Sequence, residues 1–409
     1  MKYKMTNLIS ITLNFDEKPI PVGRLAIQNN HIYFEYLPAF LKTNLLISPF
    51  KLPLKPGVQS FSNELFDGLP GVFNDSLPDG WGRLLLDRLL RGHGLAPAQL
   101  SPLDRLAYVG PFGMGALVYE PHYKLTPTEN IPLNLDQLAT YAHEILEGDS
   151  NDVLDELLAL NGSSAGARPK ALIGVNEKRN SIIHGAHDLP EEYTHWIVKF
   201  TNSLENIDSG AIEFVYSQMA KNAGVKISEA YLFPAKKGPG YFATKRFDRD
   251  KNKRLHLHSA CGLLHSNFRT PSLDYEDLIK ATMVLTKDIR EAKNMFRLAV
   301  FNVLAHNRDD HSKNISFLMD ESGKWALAPA YDLTFSFGPG GEQSTMVMGE
   351  GKNPSEKHLI QLGQAVGFDL TEINAIIKQT LAALSKWNIL AKNAGVSKTN
   401  IKEIEKVIG

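Results

Sequence analysis

A single cysteine, Cys261, stands in a chain of 409 residues. That excludes an intramolecular disulfide and any zinc site built on several thiolates, and it fits a reducing compartment. Excess charge is missing as well: 44 basic residues face 45 acidic ones, for a formal net charge of −1. The chain as a whole therefore lacks the electrostatic footprint of a direct nucleic-acid binder. No apolar run approaches the length of about 18 residues that a membrane span needs. Met1 to Phe15 alternates rather than running apolar, so it does not read as a signal peptide. Internal repeats and low-complexity tracts are absent from the sequence. The expected setting is cytoplasmic, with no membrane partner.

Hydrophobic residues make up 43% of the chain and charged residues 22%, enough apolar material for a sizeable core. The length predicts two or three packed subdomains. Ile9 to Leu13, Val22 to Ile27 and Ile32 to Tyr36 read as an antiparallel meander, split by Lys18-Pro19 and by Asn29-Asn30. Leu77-Pro78-Asp79-Gly80-Trp81 opens a helix that Gly92 and Gly94 stop, and Gly110 to Val118 is a glycine-rich turn entering a strand. Three prolines between residues 120 and 134 mark a linker. The period is helical from Leu135 to Leu160, and strands follow at Ala171 to Val175, His195 to Phe200, Ala230 to Pro234 and Gly240 to Phe247. A helix over Gly210 to Ala223 intervenes. After about residue 250 the character turns helical, over Asp274 to Thr286, Arg290 to His306, Thr371 to Lys392 and Lys398 to Ile408. A strand-rich part before a helix-rich part indicates two lobes around a cleft.

At their junction lies Asn307-Arg308-Asp309-Asp310-His311-Ser312-Lys313-Asn314, then a predicted hairpin, then Tyr331-Asp332-Leu333. Phosphoryl transfer from ATP needs a carboxylate at the substrate hydroxyl, plus an amide and a second carboxylate to hold Mg2+ on the phosphates. Asp309 suits the first role, and Asn314 and Asp332 the second, since Mg2+ prefers oxygen ligands. Asp310 is the near neighbour that competes with Asp309, but it stands only four residues before Asn314 rather than five. In protein kinases the slot two residues after the aspartate usually carries a lysine; here it is His311, which either packs or contacts phosphate. Lys313 lies in the same loop.

Lys199 sits inside the apolar strand Trp196-Ile197-Val198-Lys199-Phe200. It either solubilises an edge or is a buried charge that needs a phosphate or carboxylate partner. Kinases use such a strand lysine on the α- and β-phosphates, paired with a glutamate from the next helix, and that helix offers Glu213. Gly162 to Lys170 (Gly-Ser-Ser-Ala-Gly-Ala-Arg-Pro-Lys) is small and flexible, so the backbone N–H groups of Ser164, Ala165 and Gly166 are candidates for cradling phosphate. It also matches G-x-S-x-G, but the nucleophile elbow needs a strand before the serine and a helix after it, and here the order is reversed. Lys245, Phe247 and Asp248 lie where strands give way to helices, the place that reads adenine in a two-lobed kinase. Asp248 is there either a ribose ligand or a turn aspartate. His256-x-His258 lacks a third ligand and reads as a strand face.

Together the Ser163 to Lys170 loop, His195 to Phe200, Lys245 to Arg249, Asp309 to Asn314 and Tyr331-Asp332-Leu333 resemble the HipA-family serine/threonine kinases, toxins of bacterial HipA–HipB toxin–antitoxin pairs. Leu77 to Trp81 and Gly110 to Val118 are similar to that family's N-terminal subdomain. The resemblance implies an α+β, two-lobed protein-kinase-like fold, with a strand-rich N-terminal lobe, an added N-terminal subdomain and an all-helical C-terminal lobe. Its expected parts are a subdomain over 1–122, an ATP-binding part with the phosphate loop over 123–248, and a helical lobe with the catalytic loop over 249–409. It further implies ATP- and Mg2+-dependent phosphorylation of a protein, with Asp309 catalytic, Asn314 and Asp332 on the metal and Lys199 on ATP. A serine of the phosphate loop is then autophosphorylated and switches the kinase off; Ser163 aligns best, with Ser164 the alternative. The implied partner is a small helix-turn-helix antitoxin that supplies most of the DNA contact. Arg168-Pro169 and Asp310 depart from the family's usual residues and bear on loop mobility and substrate fit. Two other readings stand beside this one: a small-molecule kinase of the aminoglycoside or choline kind, and a non-catalytic, kinase-shaped binding partner of a repressor.

Overall fold

The computed structural model describes residues 6–16, 18–92, 94–123, 132–148, 154–161, 166–202, 206–270 and 272–409. The chain divides into two compact units. One comprises Met1–Glu205, Ala243–His258 and Met319–Gly323; the other comprises Asn206–Phe242, Ser259–Leu318 and Lys324–Gly409.

In the first unit, β1 (Leu8–Leu13), β2 (Ile20–Gln28), β3 (His31–Tyr36), β4 (Val58–Ser60) and β5 (Leu117–Glu120) form an antiparallel sheet in the order β4-β3-β2-β1-β5. Alternation decides which face is covered: Ile9, Ile11 and Leu13 are buried while Leu8 and Ser10 face out. Asn29 and Asn30 take φ of 51° and 60°, and so close the tight β2–β3 turn in the conformation such hairpins require. Phe34 packs on Phe73, with ring centroids 5.1 Å apart, and Tyr36 stacks on Phe40 at 5.5 Å. The helix Gly80–Gly92 lays Trp81, Leu85, Leu86 and Leu90 on its buried side.

A second sheet in this unit holds β6 (Lys170–Asn176), β7 (Ile182–His184) and β8 (Tyr193–Lys199) in the order β7-β6-β8, continued by Ala243–Lys245 of the next strand. Ala171, Leu172, Ile173 and Val175 of β6 are all buried, so this central strand is covered on both faces. Where the sequence reads as one helical stretch over Leu135–Leu160, the structure has two helices, Leu135–Glu147 and Leu154–Asn161. The first ends at Gly148, whose φ of 92° belongs to the left-handed helix cap that glycine adopts at little cost.

The second unit is helical apart from a few short strands. Its helices include Ser209–Asn222, Tyr275–Thr286, Ile289–Leu304, Glu356–Ala365, Leu370–Leu384, Trp387–Asn393 and Lys398–Ile408. Tyr216 meets Phe301 and Trp387 edge-on and donates its hydroxyl to the Ala305 carbonyl at 2.7 Å. The Trp387 indole N–H donates to the Ile401 carbonyl, which docks the last helix. The predicted hairpin forms from Ser316–Met319 and Trp325–Leu327, and the Ala328 N–H closes it on the Ser316 carbonyl. Among the described residues no helix is long and apolar enough to cross a membrane.

Candidate active site

The catalytic-loop motif lies in the second unit, between the helix Ile289–Leu304 and the hairpin. Its two adjacent aspartates have opposite surroundings. Asp310 is buried, and its carboxylate accepts from the Tyr275 hydroxyl (2.6 Å), the Gln343 side-chain amide (3.0 Å) and the N–H groups of Ser344 (3.0 Å) and Thr345 (3.1 Å). Asp309, by contrast, is exposed. Partial desolvation raises the Asp309 carboxyl above its ordinary range; nearby His311 opposes the rise and the Asp332 carboxylate adds to it. The two acids thus feel one another, although they stand 23 positions apart in the sequence.

Asn314 donates its side-chain N–H to the Asp309 backbone carbonyl at 2.8 Å, which turns its Oδ1 the other way. Tyr331 brings in the second acid: its hydroxyl donates to the Lys313 carbonyl at 2.6 Å and lies 2.7 Å from Ser316 Oγ. Asp332 follows with φ of 54°, a strained position for a side-chain-bearing residue. An amide oxygen and a carboxylate presented from two tied segments suit a hard cation such as Mg2+, which accepts few protein ligands and keeps room for water and phosphate oxygens. Among the described residues no cluster of three or more His, Cys, Asp or Glu side chains forms a metal cage of another kind.

His311 and Lys313 flank the acid on an aromatic support. Lys313 Nζ lies 4.4 Å from the Phe268 ring centroid, and the His311 ring meets Phe268 edge-on at 5.5 Å. His311 Nε2 stands 3.9 Å from Asp309 Oδ1. Neither Phe268 nor Tyr331 was singled out from sequence. Tyr331 carried a signal, since it directly precedes the second acid; Phe268 carried none.

The first unit holds the lysine strand. Lys199 is buried, with 7% of its surface exposed, and its register partner across the β6–β8 ladder is Lys170, 4% exposed. Residues directly opposite in an antiparallel pair share a face, and like charges there repel, so two buried ammonium groups favour an anionic neighbour. Lys170 is the functional candidate that sequence reasoning passed over. Gly166 lies beside it: a Cβ built on Gly166 would fall 2.5 Å from Lys170 Nζ. Its own N–H, expected from sequence to cradle phosphate, instead donates to Asp79 Oδ1 at 2.6 Å, and a donor committed to a carboxylate is not open to phosphate. Ser163, Ser164 and Ala165 lie outside the described residues. Glu213 is buried on the helix Ser209–Asn222 of the second unit. Lys245 ends its strand opposite Trp196, and Phe247 is half-buried in the following turn.

Asp248 requires a correction. It is wholly buried, and its two carboxylate oxygens accept from Arg246 (2.9 and 2.7 Å), Arg249 (2.7 Å) and the Gly115 N–H (2.7 Å). Although burial opposes ionisation, the two guanidinium groups hold it far below the usual carboxylate range. A carboxylate enclosed in this way has no oxygen to offer ribose hydroxyls. Arg249 and Arg254 reach on to the carbonyls of Gly113, Gly115 and Pro111, so the glycine-rich turn is bolted to this segment.

One further arrangement in this unit has catalytic-looking geometry. Ser48 Oγ lies 2.9 Å from His258 Nε2, and His258 Nδ1 lies 2.6 Å from Asp75 Oδ2. Ser48 is 1% exposed and His258 fully buried, so a substrate carbonyl has no approach and the trio serves packing. His256 is buried on the same strand and bonded to the Ile47 carbonyl.

Comparison with known proteins agrees with this architecture. The family model for the HipA-like C-terminal domain matches residues 162–387, and that for the HipA N-terminal domain matches residues 16–120. The chain belongs to the HipA family. The serine/threonine-protein kinase toxin HipA of Shewanella oneidensis is 24% identical over 308 residues, which cover 69% of this chain and 66% of that protein, just under two thirds of its length. A solved structure of the Shewanella oneidensis toxin–antitoxin system, HipA with HipB and its operator DNA, superposes with a TM-score of 0.70 at 17% identity. That match covers 97% of this chain and 95% of the other, and the fold is accordingly the kinase-like fold of HipA.

Proposed function

We propose that this HipA-family chain is an ATP- and Mg2+-dependent serine/threonine protein kinase that acts as a toxin. One observation carries the reading: Asp309, Asn314 and Asp332, from two segments of the second unit, are tied together by the Asn314 amide and the Tyr331 hydroxyl. In this reading Asp309 orients the substrate hydroxyl and accepts its proton as the oxygen takes up the γ-phosphoryl group and ADP leaves. Asn314 and Asp332 hold Mg2+, which neutralises charge on the phosphates. Lys199 engages the α- and β-phosphates, with Lys170 beside it. Autophosphorylation of Ser163, or of Ser164, adds close to two negative charges and repels the nucleotide phosphates, which switches the kinase off.

Membership of the family supports a small helix-turn-helix antitoxin as partner. The near-zero net charge supports DNA contact made mainly through that antitoxin. In the test, purified chain is incubated with Mg2+ and labelled ATP, and cells expressing wild type or Asp309→Ala are compared by phosphoproteomics. The expected outcome is label on Ser163 or Ser164, a set of phosphosites lost with Asp309→Ala, and growth arrest by wild type alone. Turnover of ATP on a small alcohol with no phosphoprotein would replace this reading with a small-molecule kinase.

A further inference from the structure

The loop that carries Asp309 has little regular secondary structure, yet four consecutive carbonyls in it are all bonded. Those of Asn307, Arg308, Asp309 and Asp310 accept in turn from the Gln343 side-chain amide (3.0 Å), the Ser344 N–H (3.0 Å), the Asn314 side-chain amide (2.8 Å) and the Thr345 hydroxyl (2.6 Å). All but the Asn314 amide come from one tripeptide, Gln343-Ser344-Thr345. A closed circuit of side chains backs this grip. Gln343 Nε2 donates a second time, to Asp310 Oδ2 at 3.0 Å, and the same oxygen accepts from the Tyr275 hydroxyl at 2.6 Å. That hydroxyl accepts from Asn302 Nδ2 at 2.8 Å, and Asn302 Oδ1 accepts from Asn307 Nδ2 at 2.9 Å. The Asn307 carbonyl then returns the path to Gln343. Tyr275, Asn302, Asn307, Asp310 and Gln343 are all buried. Asp309 stands between the two loop residues that the circuit holds, and its own exposed carboxylate takes no part.

We propose that Gln343, with Tyr275 and Asn302, is a positioning residue for phosphoryl transfer, holding the backbone on both sides of Asp309 so that its carboxylate meets the acceptor hydroxyl in one geometry. The inference rests on the kinase reading above and extends it to residues outside the catalytic loop. A carboxylate that must orient a hydroxyl for in-line transfer loses rate steeply when it is displaced. Hydrogen bonds closed into a buried circuit strengthen one another, and the loss of one member leaves its partners unsatisfied. None of the three residues touches substrate in this scheme; each acts through positions 307 and 310.

The test follows transfer of labelled phosphate from ATP–Mg2+ to the full chain itself and to proteins of a cell lysate. Rates are expressed per nucleotide-binding site, counted by calorimetry with a non-hydrolysable ATP analogue, which removes any unfolded fraction from the comparison. Gln343→Met keeps the length of the side chain and deletes both donated bonds, and Tyr275→Phe deletes the hydroxyl. Each is expected to lower the rate at saturating ATP about tenfold or more, with the ATP dissociation constant within about threefold of wild type. Because both residues lie in one circuit, the double variant should lose little beyond the worse single one, whereas independent structural defects would multiply. Should Gln343→Met fail to fold, the rate of Tyr275→Phe decides. A rate per site within twofold of wild type in a folded single variant overturns the inference and leaves the kinase reading standing, as do losses that multiply in the double variant. A wild-type chain that transfers no phosphate overturns both.

Discussion

Asp309 and Asp310 are chemically identical neighbours, and one peptide unit gives them opposite surroundings, exposed and buried. Burial pushes the Asp310 carboxyl up to about 6 from 3.8, against the pull of its hydrogen-bond donors. Between these values the folded chain keeps a proton that the unfolded chain has released. Stability therefore falls as pH rises from about 4 to about 6, and the contribution is flat above that window. The expected size of this loss is ~3 kcal/mol, from a shift of about two pK units. Asp310→Asn removes the titration. Thermal melts of wild type and variant at pH 4, 5, 6 and 7 should show the variant gaining relative stability as pH rises; a constant difference across the series would refute the assignment. Position 310 also shows where sequence reasoning stops. Spacing to Asn314 favoured Asp309 over Asp310, but the partners of Asp310 lie at Tyr275 and at 343–345, and distant partners leave no local pattern.

At the level of elements, the hairpin was legible because alternation, turn chemistry and apolar return all occur within about a dozen residues. The spacing of Asp309, Asn314 and Asp332 was legible for the same reason. The tie that brings the two ends of the hairpin together was not, since a tyrosine hydroxyl bonded to the Lys313 carbonyl looks like any other aromatic in a sequence. Tyr331→Phe keeps the ring and deletes this bond together with the contact to Ser316 Oγ. It is expected to cost about 1–2 kcal/mol of stability and to lower kcat about tenfold or more, with KM for ATP changed little, because Asp332 loses its register against Asn314. Steady-state kinetics and a melting curve check both numbers. Breaks within helical stretches were missed for a related reason. Gly148 reads as one more residue in a polar run, and Ser385-Lys386 interrupts the C-terminal helices without a proline or glycine.

At the scale of the whole molecule, the chain sorts into two units that do not follow its linear order, since Ala243–His258 and Met319–Gly323 return to the first unit. The returning segment 246–254 carries the arginines that grip the glycine-rich turn, with Asp248 at the centre of the joint. Sequence reasoning saw Asp248 at a lobe junction and left it between ribose and a turn; the structure ties it to Arg246 and Arg249. The two roles predict different losses. If Asp248 held a nucleotide, Asp248→Asn would raise KM for ATP and leave the melting temperature alone. As the counter-ion of two buried guanidinium groups, its loss strands their charge. The expected cost is then about 3–5 kcal/mol of stability, seen as a lower denaturant midpoint for the full chain. Nucleotide affinity in whatever fraction remains folded should stay within about threefold of wild type. The ion pairs also make the joint acid-sensitive. Asp248 has a depressed pKa in the folded state, so its contribution is complete above the ordinary carboxylate range and is lost as pH falls below it, opposite in sign to that of Asp310. Melting wild type and Asp248→Asn between pH 3 and pH 7 should therefore show the gap between them closing toward the acid end, and a gap that widens there would remove Asp248 from the joint.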